Sequence, residues 1–212
     1  MKVVLSVQNI SKAFNRKKIL KNISFSQKEG ESIVFMGRNG AGKSTLFRII
    51  ARLMTYDNGS IIFQGKNLLK VKPIHSSKLF YLGHSPGMYH PFSAIENLNF
   101  LLSLRKIYKD QSEILDVLDQ FGLMESANEP IGVYSEGMLQ RLKIVCAQLM
   151  DWDMILIDEP FSNLDKDGLD LVQKHISFWR SQNKTISMIL HNKNHAENFC
   201  DRILTLESGI IK

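Results

Sequence analysis

The chain has 212 residues, 44% of them hydrophobic, and its 27 Lys and Arg outnumber 21 Asp and Glu to leave a formal charge of +6. That composition fits one large globular domain with its own core and excludes a disordered tail or a disulfide scaffold. No apolar run approaches the roughly 20 residues of a membrane helix, Cys146 and Cys200 form no CxxC pair, and nothing near Met1 reads as a secretion signal, so a reducing cytoplasmic setting is expected. The basic excess suits an anionic partner without choosing among nucleotide, nucleic acid and lipid headgroup.

The predicted elements begin with short strands near residues 3–7, 23–25 and 32–36, the turn Lys28-Glu29-Gly30-Glu31 preceding the third. Arg16-Lys17-Lys18 with Lys21 reads as a solvated hairpin tip, with contact to nucleic acid or headgroups as the other reading. A helical stretch is expected over 46–53, then strands at 60–63 and 79–82. From about residue 85 to 150 the period turns helical. Ser93 and Glu96 make a capping box ahead of Ile95, Leu98 and Leu102, while Ile114, Val117, Leu118 and Phe121 form a second stripe that stops at Gly122. The apolar runs at 154–157 and 187–190 have the pattern of buried strands with polar tips, Asp158-Glu159-Pro160 and His191, and a last strand at 203–206 precedes Gly209. Strand, helix and strand in repetition predict a parallel α/β core with a helical insertion.

Gly37-Arg38-Asn39-Gly40-Ala41-Gly42-Lys43-Ser44-Thr45 satisfies GxxxxGK[ST] between an apolar strand and a helix, the context a phosphate-binding loop requires. Its glycines let successive backbone N–H groups face phosphate oxygens, Lys43 would reach the β- and γ-phosphates, and Ser44 would hold Mg²⁺. The 154–157 strand delivers two adjacent carboxylates. Asp158 is placed to hold Mg²⁺ through water, and Glu159 to polarise an attacking water. Ser135 would cap a helix with the stripe Met138, Leu142, Val145 and Leu149. His191 and His195 stand at a helical i, i+4 spacing that can bind metal, but no Glu completes an HExxH pattern. Cys146 reads as core.

In its order of motifs the chain resembles the ATP-binding subunits of ABC transporters over nearly its whole length. Tyr81-Leu82-Gly83-His84 stands in the place of that family's Q-loop, and Tyr134-Ser135-Glu136-Gly137-Met138 where it carries the LSGGQ signature. Ser162-Asn163-Leu164-Asp165 looks like the D-loop, His191 like the switch histidine, and Phe14 like the aromatic residue that stacks on adenine. The resemblance implies a P-loop NTPase cassette, with a parallel RecA-like core and an N-terminal antiparallel β subdomain in 1–84 and 151–212, and a helical signature subdomain in 85–150. It implies ATP and Mg²⁺ as cofactors, with Ser44, Asp158 and His84 at the metal and Glu159, His191 and His84 in catalysis. The nucleotide would lie between Phe14 with the 37–45 loop of one subunit and Ser135, Glu136, Gly137 and Asp165 of the facing one, in a homodimer or a pair of similar cassettes closing on two ATP molecules.

The resemblance further implies an integral membrane permease as partner, a place on the cytoplasmic face of the membrane, and no direct contact with cargo; nucleic acid is not expected. Pro86 to Phe92, apolar and aromatic, is the expected groove for a helix of that permease. His84, the compact chain, and the stretches Ala94-Ile95-Glu96-Asn97-Leu98 and Asp158-Glu159-Pro160-Phe161 look like the CcmA group of cytochrome c maturation ATPases, associated with haem export or release. Another compact drug or lipid exporter is the alternative, and a soluble ABC ATPase acting on nucleic acid a further one, disfavoured by the single P-loop and the lack of a heptad array. Two positions depart from the family pattern. His84 replaces a glutamine, which would make coupling sensitive to pH. Glu136 replaces a glycine, and a carboxylate about 6 Å from a phosphate charge, at an effective dielectric near 20, is repelled by roughly 3 kcal/mol. Glu136 is therefore expected to turn away from the nucleotide or to meet a cation, such as Arg38 of the facing loop.

Overall fold

The computed structural model describes residues 2–70, 78–85 and 87–212. The chain opens on a hairpin of two long strands, β1 (Val3–Phe14) and β2 (Lys17–Lys28). Asn15 and Arg16 between them both take positive φ, the handedness that a two-residue turn needs to match the strand twist. The basic cluster is thus the exposed hairpin tip expected of it. Both strands outrun their predicted lengths because shifts of register break the alternation, with Asn9 and Asn22 at positive φ beside them. Strands β4 (Asn58–Phe63) and β5 (Lys66–Asn67) complete an antiparallel sheet in the order β2-β1-β4-β5.

The second sheet is built from β3 (Ser32–Met36), β6 (Leu79–Leu82), β7 (Met154–Asp158), β8 (Thr185–Ile189), β9 (Arg202–Glu207) and β10 (Ile210–Ile211), in the order β10-β9-β3-β8-β7-β6. The pairs β9–β3, β3–β8 and β8–β7 are parallel, and β10 turns back antiparallel on β9. Every residue of β7 and β8 is buried, as in a parallel strand covered on both faces. The parallel core is therefore present, with one antiparallel edge strand added after Gly209.

Six α-helices of the described residues join these strands: α1 (Lys43–Ile50), α2 (Ala94–Leu104), α3 (Gln111–Gln120), α4 (Glu136–Leu149), α5 (Lys166–Ser181) and α6 (Lys193–Phe199). Two compact units result. The first comprises Met1–Tyr81, Trp152–Glu159 and Ser177–Lys212. Its core packs Leu5, Val7, Ile10 and Phe63 of the antiparallel sheet together with Phe35, Leu156 and Leu206 of the parallel one and Phe47 of α1. The second comprises Leu82–Asp151 and Pro160–Ile176, so that 160–176 joins the insertion expected over 85–150. Its helices α2, α3 and α4 pack on one another through Leu98, Leu102, Ile114, Leu118, Leu142 and Val145, each at most 3% exposed.

Candidate nucleotide-binding site

The register of the parallel strands lays Phe35, Ile189 and Asp158 side by side. Whatever follows these residues therefore emerges at one carboxyl edge, where open α/β sheets place their ligands. After β3 comes the glycine loop. Gly37 has φ +137, and a Cβ there would stand 2.1 Å from the Leu206 carbonyl oxygen, so only glycine lets the loop leave the sheet this closely against β9. Gly42, at φ +104, forms the N-cap of α1, which begins at Lys43. The Lys43 ammonium folds back to donate to the carbonyls of Gly37 and Arg38 at 2.8 and 3.1 Å. The residue is 6% exposed, and burial pulls its pKa below the ordinary lysine value, against the opposing pull of the Glu159 and Asp158 carboxylates.

Asp158 ends β7 at 1% exposure. Beside it Tyr81 of β6 has its phenol pKa raised, by burial first and then by the Asp158 carboxylate, with Arg48 opposing. Glu159 follows in the left-handed region, φ +54, a conformation that costs a non-glycine residue about 1–2 kcal/mol. Its backbone N–H extends the ladder to the Ile189 carbonyl at 3.2 Å, and its Oε1 lies 2.8 Å from His191 Nε2. His191 sits just before α6, so it does not share a helix face with His195 as the i, i+4 spacing suggests; Asn192 caps α6 instead, its side chain accepting from the N–H groups of Asn194 and His195. A hydrogen bond between a carboxylate and an imidazole holds both side chains in one place, the arrangement needed to orient a water.

A recess of about 430 Å³ is lined by Phe14 and Ile19 of the hairpin, by Asn39, Gly40, Gly42, Lys43, Ser44 and Thr45, and by Glu159. It thus joins an exposed aromatic ring to the phosphate loop within one unit. The ring is braced from behind. Asp57 accepts the Ala13 N–H at 2.7 Å and pairs with Lys12 at 3.4 Å, and the Lys12 ammonium lies 5.3 Å from the Phe14 centroid. A larger recess of about 660 Å³ borders the other flank of the loop, where Arg38, Asn39, Ala41, His191 and Glu207 meet.

In the second unit Ser135 caps α4 as expected, its hydroxyl accepting the Met138 N–H at 3.2 Å, and Leu142, Val145 and Leu149 of the predicted stripe are buried. Glu136 follows in the first turn, Oε2 accepting from Asn163 Nδ2 at 2.5 Å; within this unit it meets a neutral amide rather than the expected cation. Asp165 serves as the cap of α5, accepting the Gly168 N–H at 2.8 Å. The His84 side chain is exposed and its carbonyl accepts from buried Lys143 at 3.0 Å. Buried Asn97 fixes the aromatic stretch that precedes it, accepting the Tyr89 N–H and donating to the carbonyls of Tyr89, Phe92 and Ser93. Pro86, expected in that stretch, lies outside the described residues. Cys146 is 2% exposed and burial pushes its thiol up to about 12, which makes it core.

With this geometry, a family model described as ABC transporter matches residues 20–162. The chain belongs to the ABC transporter family. It is 30% identical over 212 residues to the spermidine/putrescine import ATP-binding protein PotA of Mycoplasma mycoides subsp. mycoides SC, covering 99% of this chain and 60% of that protein. It is 29% identical over 208 residues to the lantibiotic transport ATP-binding protein SrtF of Streptococcus pyogenes, covering 98% of this chain and 89% of that one. The dimeric post-hydrolysis structure of the ATP-binding cassette MJ0796 bound to ADP and Pi superposes with a TM-score of 0.89 at 24% identity, over 98% of this chain and 96% of that one, and so shares its fold. The chain spans about 60% of the length of the PotA relatives.

Several contacts in this ABC cassette escape a reading by motif. Asp57 on Ala13 and Lys12, Lys143 on the His84 carbonyl, and the bond between Asn163 and Glu136, two residues that motifs name separately, all join distant positions of the chain. Asn97 is different: four residues after the Ser93 cap, at a polar position in an otherwise apolar helical face, it is visible in the sequence as a buried amide in need of partners.

Proposed function

We propose that this chain binds and hydrolyses ATP to drive a membrane permease, working as one of two cassettes. The observation that carries the reading is the meeting, at one sheet edge, of the glycine loop with Lys43, the Asp158 carboxylate and the Glu159–His191 pair at 2.8 Å. Phosphoryl transfer to water needs a phosphate cradle, a metal carboxylate and a base that orients water, and these are its parts. The recess of about 430 Å³ falls within the usual range for small-molecule pockets, and Phe14 at its rim is 43% exposed, so a face is open to stack on a base. Oxygen donors suit Mg²⁺, and the Ser44 hydroxyl with the Asp158 carboxylate fits that ion. When bound, it would neutralise charge on the transferred phosphoryl group. His84 offers a nitrogen, a donor better suited to transition metals, so it fits poorly as a Mg²⁺ ligand.

In this reading Lys43 binds phosphate oxygens, the loop N–H groups orient them, and Glu159 takes the proton of the attacking water while His191 holds its carboxylate. The MJ0796 cassette is dimeric with ADP and Pi, and PotA and SrtF are named for transport; these support a paired cassette here, with Ser135 and Gly137 at the start of α4 facing the partner's nucleotide. No helix of the described residues is long and apolar enough to cross a membrane. The cluster of Tyr89, Phe92 and Phe100 is its proposed landing surface: Tyr89 and Phe92 rings lie 5.5 Å apart, Tyr89 and Phe100 5.3 Å, and all three are exposed. The chain would then sit on the cytoplasmic face of the membrane.

Haem export in cytochrome c assembly is the narrower proposal and rests on His84 with the stretches Ala94 to Leu98 and Asp158 to Phe161. The named relatives carry other cargoes, polyamines and lantibiotics, and no residue of the site addresses cargo. The test is hydrolysis by the purified chain with its permease, set against Lys43→Ala. Phosphate release that this substitution cuts by about 10² or more, together with weakened ATP binding, is expected. Parental turnover in Lys43→Ala would sink the proposed site.

A further inference from the structure

Glu136 and Asn163 are 27 positions apart in sequence and form a short hydrogen bond at 2.5 Å, an amide N–H donating to a carboxylate. Such a charge-assisted bond is roughly twice as strong as a neutral one. A second contact lies beside it. The Asn163 carbonyl oxygen stands 3.1 Å from where a Cβ on Gly137 would be, so the backbone after β7 presses against the first turn of α4 and leaves little room for a side chain there. Asn163 itself takes φ +59, which asparagine adopts more readily than most residues. Two residues on, Asp165 is fixed as the cap of α5 through the Gly168 N–H. The segment 160–165 is therefore held at its far end by a helix cap and at its middle by the signature turn, and its near end is the strained Glu159 at φ +54.

We propose that Glu136 and Asn163 form a clasp that sets the position of the loop following Glu159, so that the strength of this one bond governs the rate of ATP hydrolysis rather than the affinity for ATP. Glu136 and Asn163 are thus positioning residues, and Glu136, where a glycine is usual in this family, has a use of its own. The inference rests on the ATPase reading above. Only three residues lie between Glu159 and Asn163, so little slack separates the clasp from the carboxylate. It also states why residue 163 carries an amide: an aspartate there would place two carboxylates together, while a glutamine at 136 opposite an aspartate would restore the bond with donor and acceptor exchanged.

The experiment compares parental chain, Asn163→Asp, and Glu136→Gln combined with Asn163→Asp, each with its permease. It measures kcat and KM for ATP hydrolysis and amide hydrogen exchange across residues 160–165. Asn163→Asp should lower kcat by about tenfold or more with KM within about twofold, and the double substitution should return kcat to within about threefold of parental. Exchange should speed up in the single variant and slow again in the double one. Parental kcat in Asn163→Asp, or a double variant no better than the single, overturns the proposal. Unchanged exchange overturns the clasp itself, whereas exchange that follows the expected pattern in a chain that hydrolyses no ATP overturns its link to turnover together with the ATPase reading.

Discussion

Lys43 holds a charge in a place that disfavours it. Burial lowers its pKa, and Glu159 and Asp158 only partly offset that. Because the folded value lies below the unfolded one, the unfolded chain holds more protons in the window between them, and stability from this group rises with pH there. The phosphate binding proposed for Lys43 has the opposite sign, since it would need the ammonium. ATP affinity is therefore expected to fall on the alkaline side, at a pH below the ordinary lysine value, while the nucleotide-free chain gains rather than loses stability from Lys43 over the same interval. Calorimetric titration with ATP from neutral pH upward checks this, and an affinity that stays flat beyond about pH 10 would contradict it. At this scale the sequence was most legible. The spacing of Gly37, Gly42, Lys43 and Ser44 is a local pattern, and so is Asp158-Glu159 at the end of an apolar run. The 2.8 Å contact of Glu159 with His191 joins the tips of neighbouring strands and becomes visible only once β7 and β8 are paired.

Helix starts show how local chemistry decides where elements begin. Ser93 closes a full capping box, accepting the Glu96 N–H at 3.2 Å while Glu96 accepts the Ser93 N–H at 2.8 Å, and it is 7% exposed. Asp110 stands at the same position of α3 with no side-chain bond to its helix. Ser93→Ala should therefore destabilise the fold by about 1 kcal/mol and Asp110→Ala by less than about half of that, as read from urea midpoints at unchanged slope. Equal losses at the two sites would show that intrinsic cap preference, not the observed bond, sets the cost. The capping box, the Ser135 cap and the stop at Gly122 were all readable from residue order. Helix α5 carries a stripe as clear as theirs, Val172, Ile176 and Trp179, but a strand-by-strand reading of that region passes over it. The hairpin was half legible: Asn9 and Asn22 interrupt its period of two, so the alternation marks only fragments of two twelve-residue strands.

For the whole molecule, the division of labour between the units makes the assembled state a measurable consequence. The first unit by itself carries the glycine loop, both carboxylates and His191, and the second carries the capped start of α4 with Ser135, Glu136 and Gly137. A signature turn has nothing to do for the nucleotide of its own glycine loop if, as proposed, it faces the loop of a second chain. ATP then holds two chains together for as long as its γ-phosphate lasts, and hydrolysis removes the contact. Glu159→Gln keeps the shape of the side chain but removes the carboxylate proposed to take the proton, so it should bind ATP while losing about 10² or more in turnover. It should also accumulate as a dimer: sedimentation velocity in ATP and Mg²⁺ should show a species of twice the mass for Glu159→Gln, with the parental chain largely monomeric after turnover. Lys43→Ala should remain monomeric under the same conditions, because the glue is never bound. Net charge alone does not decide whether this dimer forms. Two chains of +6 repel each other and salt screens that repulsion, but salt supplies no phosphate for the glycine loop and a facing α4 to share, so if bound nucleotide is the glue, raising salt without ATP should not reproduce the dimer, whereas ATP should produce it even at low salt. A Glu159→Gln chain that stays monomeric in ATP while binding it would place the nucleotide within a single subunit and remove the facing role of Ser135.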